Sequence, residues 1–137
     1  MATTKTVRDV MSSDATTLDI NDQLSIADDV MRLGRIRHMP VLDADGTIAG
    51  IVSQRDLFRG ALARNLGYGE HAQQKLIGSL RVKDVMTNAP TTIAPDASLS
   101  EAARLLIEQK IGCLLVAENE KLVGILTESD FVELAIE

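Results

Sequence analysis

Apolar positions along the chain change period several times, and each change marks an element. Ala15-Thr16-Thr17-Leu18 is a short β-prone run that ends in polar residues. A stripe of Leu24, Ala27, Val30, Met31 and Gly34 follows, the three-or-four spacing that lines one face of a helix. His38–Leu42 and Thr47–Val52 then read as two strands, joined through Asp43-Ala44-Asp45-Gly46, a tight-turn composition. A closing helix is expected to begin near Asp56. The order is strand, helix, strand, strand, helix.

The same order returns later in the chain. Val7-Arg8-Asp9-Val10-Met11 matches Val82-Lys83-Asp84-Val85-Met86, 75 residues on, and Thr16-Thr17, Leu24-Ser25, Ala27, Ile36 and Val41 all find counterparts at that offset. One residue is lost in the hairpin turn, so that Gly50 meets Gly124. The second unit has a strand-like Pro90-Thr91-Thr92-Ile93, a helical stripe of Leu99, Ala102, Ala103, Leu105 and Leu106, and strands at Cys113–Val116 and Leu122–Leu126 around Glu118–Lys121. Ser98 with Glu101 forms a capping-box signature before the second helix. A fixed-period recurrence of this kind means duplication of one structural unit. A unit of about 55 residues would bury only about 60% of its unfolded surface and be marginal alone. Two copies packed sheet to sheet into one module are therefore expected. The expected divisions are residues 7–60, a helical connector at 61–81, and residues 82–135.

Composition narrows the chemistry. Of 137 residues, 45% are apolar but only 2% aromatic, so the core must be aliphatic. The scarcity of rings argues against single-stranded nucleic-acid binding, which uses aromatic stacking platforms. Net charge is −6, with acid exceeding base in both halves, which argues against a broad basic face for nucleic acid or an anionic membrane. A single cysteine, Cys113, excludes an internal disulfide framework and suits a reducing compartment. No apolar run reaches a membrane-spanning length of about 18 residues, and the first residues lack the apolar stretch of a signal peptide. The expected location is the cytoplasm. Only two His and one Cys are present, without ligand spacing, so no metal site is expected.

The most informative stretch is Gly50-Ile51-Val52-Ser53-Gln54-Arg55-Asp56, which recurs as Gly124-Ile125-Leu126-Thr127-Glu128-Ser129-Asp130. A strand, a glycine, a hydroxyl and a carboxylate lead into a helix in each. Two readings stand: a helix cap, in which side-chain oxygens accept from free N–H groups, or a ligand contact, in which the carboxylate takes two vicinal hydroxyls.

Together these residues resemble the cystathionine-β-synthase (CBS) domain, and the tandem pair resembles a Bateman module. The resemblance rests on the duplicated Val-Arg/Lys-Asp-Val-Met, on Ile36-Arg37-His38-Met39-Pro40-Val41, and on the two Gly-x-x-Ser/Thr-x-x-Asp segments; it runs from about Val7 to Leu134. It is nearest to small stand-alone CBS-pair proteins. It implies an α+β fold of two repeats with pseudo-twofold symmetry, and a non-catalytic regulatory role. The implied ligand is an adenosine compound (AMP, ADP, ATP or S-adenosylmethionine) bound in clefts between the repeats. Asp56 and Asp130 would accept the ribose hydroxyls. Ser53 and Thr127 would lie near ribose or phosphate. Thr16, Thr17, Arg37 and His38, with Thr91, Thr92, Gly112 and Cys113 opposite, would line the base and phosphates, and Arg55 could contact phosphate. The family also implies a homodimer and a regulated protein partner.

The second unit departs from the pattern. Leu115 replaces Pro40, Gly112-Cys113 replaces Arg37-His38, and Ser129 replaces Arg55, so one good and one poor phosphate site are expected. Other readings stand beside these: His38 as a partly buried strand residue, Cys113 as a small core residue, and the chain as a ligand-free dimerisation module. No Walker-type loop, metal cluster or triad supports an enzyme.

Overall fold

The computed structural model describes residues 5–57 and 80–136. In chain order the elements are α1 (Val7–Val10), β1 (Leu18–Asp19), α2 (Leu24–Gly34), β2 (His38–Leu42), β3 (Ile48–Ser53), a helical turn at 54–57, α3 (Val82–Val85), β4 (Thr87–Asn88), β5 (Thr92–Ile93), α4 (Leu99–Gln109), β6 (Cys113–Glu118), β7 (Lys121–Thr127) and α5 (Glu128–Leu134). The fold is mixed α and β with two sheets. Apart from Leu80 and Arg81, the connector expected at 61–81 lies outside the described residues.

Contacts divide the chain into two compact units, and their boundaries cut across the sequence repeat. A continuous unit runs from Thr16 to Ala89; a split unit joins the chain up to Ala15 with the chain from Pro90. Each unit therefore holds the opening Val-x-Asp-Val-Met segment of the other repeat.

In the continuous unit the sheet order is β1-β2-β3-β4, with β1 parallel to β2 and the other pairs antiparallel. α2 presents Leu24, Ala27 and Met31, all buried, to a core that includes Met39, Val41 and Val52. These three are the buried face of the stripe seen in the sequence; Val30 packs half-buried beside them, and Gly34 at the helix end is exposed. Val82, at the start of α3, is fully buried in the same core, a contribution of about 1.5–3 kcal/mol for such a side chain.

The split unit repeats the design. β5 runs parallel to β6, and β6 antiparallel to β7. Leu99, Ala102 and Leu106 of α4 meet Leu114, Val116 and Leu126, and Val7 of α1 fills the place that Val82 holds in the other core. Ser12 and Ile125 exchange both backbone hydrogen bonds at 2.9 Å, at the strand edge where β4 stands in the continuous unit.

Two close approaches hold these opening segments down. A Cβ placed on Gly50 would lie 2.6 Å from the Thr87 carbonyl oxygen and 2.8 Å from Met86 Sδ. One placed on Gly124 would lie 2.5 Å from Met11 Sδ and 2.9 Å from the Ser12 carbonyl oxygen. Only a residue without a side chain lets the backbones come so near.

Several boundaries differ from expectation. The first strand of each repeat is Leu18–Asp19 and Thr92–Ile93, leaving Thr16, Thr17 and Thr91 ahead of it. The closing helices begin at Gln54 and Glu128, two residues before the aspartates, which occupy the third helical position. The second hairpin turns at Asn119-Glu120, with φ of 53° and 66°. Two successive positive φ values match the hairpin twist, a geometry that Glu disfavours and that the sequence did not announce. Ser98 caps α4 as expected, accepting from the Glu101 N–H at 3.1 Å.

Candidate functional site

Each hairpin carries a strand-to-helix corner. In the continuous unit β3 ends at Ser53, whose N–H donates to Asp56 Oδ2 at 2.8 Å, while Ser53 Oγ accepts from the Asp56 N–H at 3.1 Å. Ser53 pairs across the sheet with His38, and the Gln54 N–H donates to the Arg37 carbonyl at 2.9 Å. The backbone therefore brings Arg37, His38, Ser53 and Asp56 to one place. Arg37 and Arg55 are exposed, and His38, Ser53 and Asp56 are half-buried.

The split unit builds the same corner from other side chains. The Thr127 N–H donates to Asp130 Oδ2 at 2.8 Å, and Thr127 Oγ1 lies 3.3 Å from that oxygen and 2.8 Å from Ser129 Oγ. Cys113 pairs with Thr127, and the Glu128 N–H donates to the Gly112 carbonyl at 3.1 Å. Gly112, Cys113, Thr127 and Asp130 are thus together, with no basic side chain in the strand-end and motif positions that Arg37, His38 and Arg55 hold in the other unit.

Capping is part of this geometry but does not distinguish it. The Thr6 N–H donates to Asp9 Oδ2 and the Arg81 N–H to Asp84 Oδ2, each at 2.9 Å, at the starts of α1 and α3. At Asp9 the backbone and hydroxyl bonds from Thr6 hold the carboxyl below its usual range. Asp9 and Asp84 are exposed, whereas Asp56 and Asp130 are half-buried beside a strand end. The bonds described at these last two corners use Oδ2, so the carboxylate can serve as a cap and still present a second acceptor oxygen.

The threonines divide. Thr92 lies on β5 opposite Leu115, and the Thr91 carbonyl accepts from the Leu115 N–H at 3.3 Å. Thr91 Oγ1 is bonded to Gln109 Oε1 at 2.6 Å, a partner the motifs did not suggest. Its counterpart in the first repeat is Gly34, which has no side chain to offer. Thr16 and Thr17 are exposed just before β1, in the same unit as Asp56.

Burial pushes the Cys113 thiol up to about 12, with the nearby Asp130 charge adding to the effect. A nucleophile needs the thiolate near neutral pH, and this environment opposes it. Among the described residues no group of three or more His, Cys, Asp or Glu side chains could hold a metal ion. Among the same residues no helix is long and apolar enough to cross a membrane.

Comparison with known proteins places this geometry. The sequence profile of the CBS domain matches the chain twice, over residues 7–63 and 82–137. A CBS domain-containing protein of Dictyostelium discoideum is 28% identical over 131 residues, covering 95% of this chain and 90% of its own length. Among solved structures, a Vibrio cholerae protein assigned to acetoin utilization (AcuB) is 37% identical with a TM-score of 0.81, over 96% of this chain and 90% of that one. CBSX2 of Arabidopsis thaliana, solved in complex with AMP, is 29% identical with a TM-score of 0.78, over 96% of both chains. The chain belongs to the CBS domain family, with two copies of the domain in tandem.

Proposed function

We propose that this chain is a non-catalytic regulatory module that binds an adenosine-containing ligand, with AMP the leading candidate, and signals by a change of conformation or of dimer geometry. Asp56 or Asp130 would accept ribose hydroxyls, with Ser53 or Thr127 close by. Arg37, His38 and Arg55 would supply charge-assisted contacts to phosphate. Thr16, Thr17, Thr91, Thr92, Gly112 and Cys113 would line the ligand. The observation that carries this reading is the half-buried aspartate at each strand-to-helix corner, bonded through Oδ2 to the preceding strand end. The AMP bound by CBSX2 supports the ligand class. ADP, ATP and S-adenosylmethionine are the alternatives within that class. A regulated protein partner, a homodimer and a cytoplasmic setting belong to the same proposal.

A ligand works as a signal only through its differential affinity for two arrangements. Thermal unfolding with each of the four compounds tests the binding step. At 100 times its dissociation constant, a ligand adds about 2.7 kcal/mol of stability, a shift of several degrees for a domain of this size. Unfolding unmoved by millimolar concentrations of all four would contradict the proposal.

A further inference from the structure

Two of the four methionines among the described residues are core residues: Met31 is 1% exposed and Met39 fully buried. The other two, Met11 and Met86, are half-buried and sit at matching places, each with its sulfur against the bare backbone of a strand glycine. We propose that Met11 and Met86 are paired oxidation sites, at which conversion to the sulfoxide releases the opening segments from Gly124 and Gly50.

The chemistry is oxygen transfer from hydrogen peroxide to the thioether sulfur. The sulfur is oxidised by two electrons, an S=O bond forms as the peroxide O–O bond breaks, and water leaves. The product is polar and bulkier than the thioether. At Gly50 the space is already taken, since a single added carbon would meet Met86 Sδ at 2.8 Å and the Thr87 carbonyl at 2.6 Å. At Gly124 an added carbon would meet Met11 Sδ at 2.5 Å and the Ser12 carbonyl at 2.9 Å. The Thr87 and Ser12 carbonyl oxygens beside these glycines are acceptors and cannot donate to a sulfoxide oxygen. On these half-buried side chains the sulfoxide oxygen is better hydrated than packed on the glycine, so it turns toward water.

What the sulfur holds down is weakly paired. Ser12 is joined to β7 through the single bridge to Ile125, and β4 pairs with β3 only at Gly50–Asn88 and Ile51–Thr87. Loss of the sulfur contact would loosen Ser12 and β4 while Val7 and Val82 stay buried in their cores. Five residues further on, the chain reaches Thr16 and Thr91. An effect on nucleotide affinity would rest on the ligand reading given above; the oxidation itself does not.

The test treats the intact chain, without nucleotide, with hydrogen peroxide, and maps sulfoxide at each methionine. Met11 and Met86 should oxidise at least about tenfold faster than Met31 and Met39, because susceptibility follows exposure. Native-state hydrogen exchange at Ser12, Thr87 and Asn88 should then rise by about tenfold or more, and methionine sulfoxide reductase should restore the original rates. Met11→Leu and Met86→Leu, singly and together, should make the local exchange resistant to peroxide. Equal oxidation of all four methionines, or unchanged exchange after selective oxidation, would overturn the proposal, and both readouts on the wild-type chain stand even if a variant misfolds. Titrations of the four adenosine compounds run in parallel separate the two ideas. Absent binding of all four ends the ligand reading alone, and absent exchange effects end this one alone.

Discussion

Met11 lies over Gly124 so closely that a Cβ added to that glycine would stand 2.5 Å from its sulfur. Met86 and Gly50 repeat the relationship. The duplicated Val-x-Asp-Val-Met therefore has a packing meaning: its valine enters a core, and its methionine closes on the glycine of a strand. Gly124→Ala and Gly50→Ala should each destabilise the chain by about 1–3 kcal/mol, the usual cost of forcing extra volume into a filled space. Shortening the methionine should not rescue either variant fully, because the carbonyl oxygens of Ser12 and Thr87 also stand in the way. Urea unfolding of the single and double variants checks this. A loss below about 0.5 kcal/mol, the range of ordinary surface substitutions, would mean that the segments yield freely.

The hairpin turn between β6 and β7 offers the opposite experiment. Glu120 sits at φ 66° after Asn119 at φ 53°, where a residue with a Cβ costs roughly 1–2 kcal/mol and Asn is tolerated better. Glu120→Gly should raise stability by up to about 1 kcal/mol, the relief being reduced by glycine's larger loss of freedom on folding. Asn119→Gly should change it less. A fall in melting temperature for Glu120→Gly would contradict this account of the turn.

Cys113 gives a pH dependence with a definite sign. Its thiol is raised from about 9.0 to about 12 in the folded chain, chiefly by burial and further by Asp130. Between those values the unfolded chain releases a proton that the folded chain keeps. Stability from this group is therefore complete below pH 9 and falls as pH rises toward 12. Cys113→Ser or Cys113→Ala should flatten that part of the profile. Alkylation of the native chain by iodoacetamide should stay slow through pH 9, where an exposed thiol already reacts readily. Rapid labelling at neutral pH would show the thiol to be open.

Much of this was legible in the sequence. The helical stripes of α2 and α4, the hairpin strands and the duplication were plain because burial imposes a period on the residues. Ser53-x-x-Asp56 and Thr127-x-x-Asp130 declared themselves because a cap needs those residue types at that spacing. Other features had no local signal. Nothing in Val7–Met11 says that it packs into the unit of the other repeat, because a short apolar segment does not encode its destination. β4 is two residues long, too short for any alternation to show. The link between Thr91 and Gln109 joins side chains 18 residues apart, and the influence of Asp130 on Cys113 depends on the pairing of β6 with β7. The aspartates were found, but at the third helical position instead of at the helix start.

The two corners also make the ligand reading separable from simple capping. Asn keeps an acceptor oxygen for the Ser53 or Thr127 N–H but loses the charged, two-oxygen acceptor for a ribose. Calorimetric titration of AMP into the wild-type chain, Asp56→Asn and Asp130→Asn is the most direct measurement. The account predicts saturable binding by the wild type and a loss of tenfold or more, about 1.4 kcal/mol, in at least one variant whose melting temperature without ligand stays near that of the wild type. AMP binding of equal strength in all three proteins would contradict it, as would no binding of AMP, ADP, ATP or S-adenosylmethionine by the wild type.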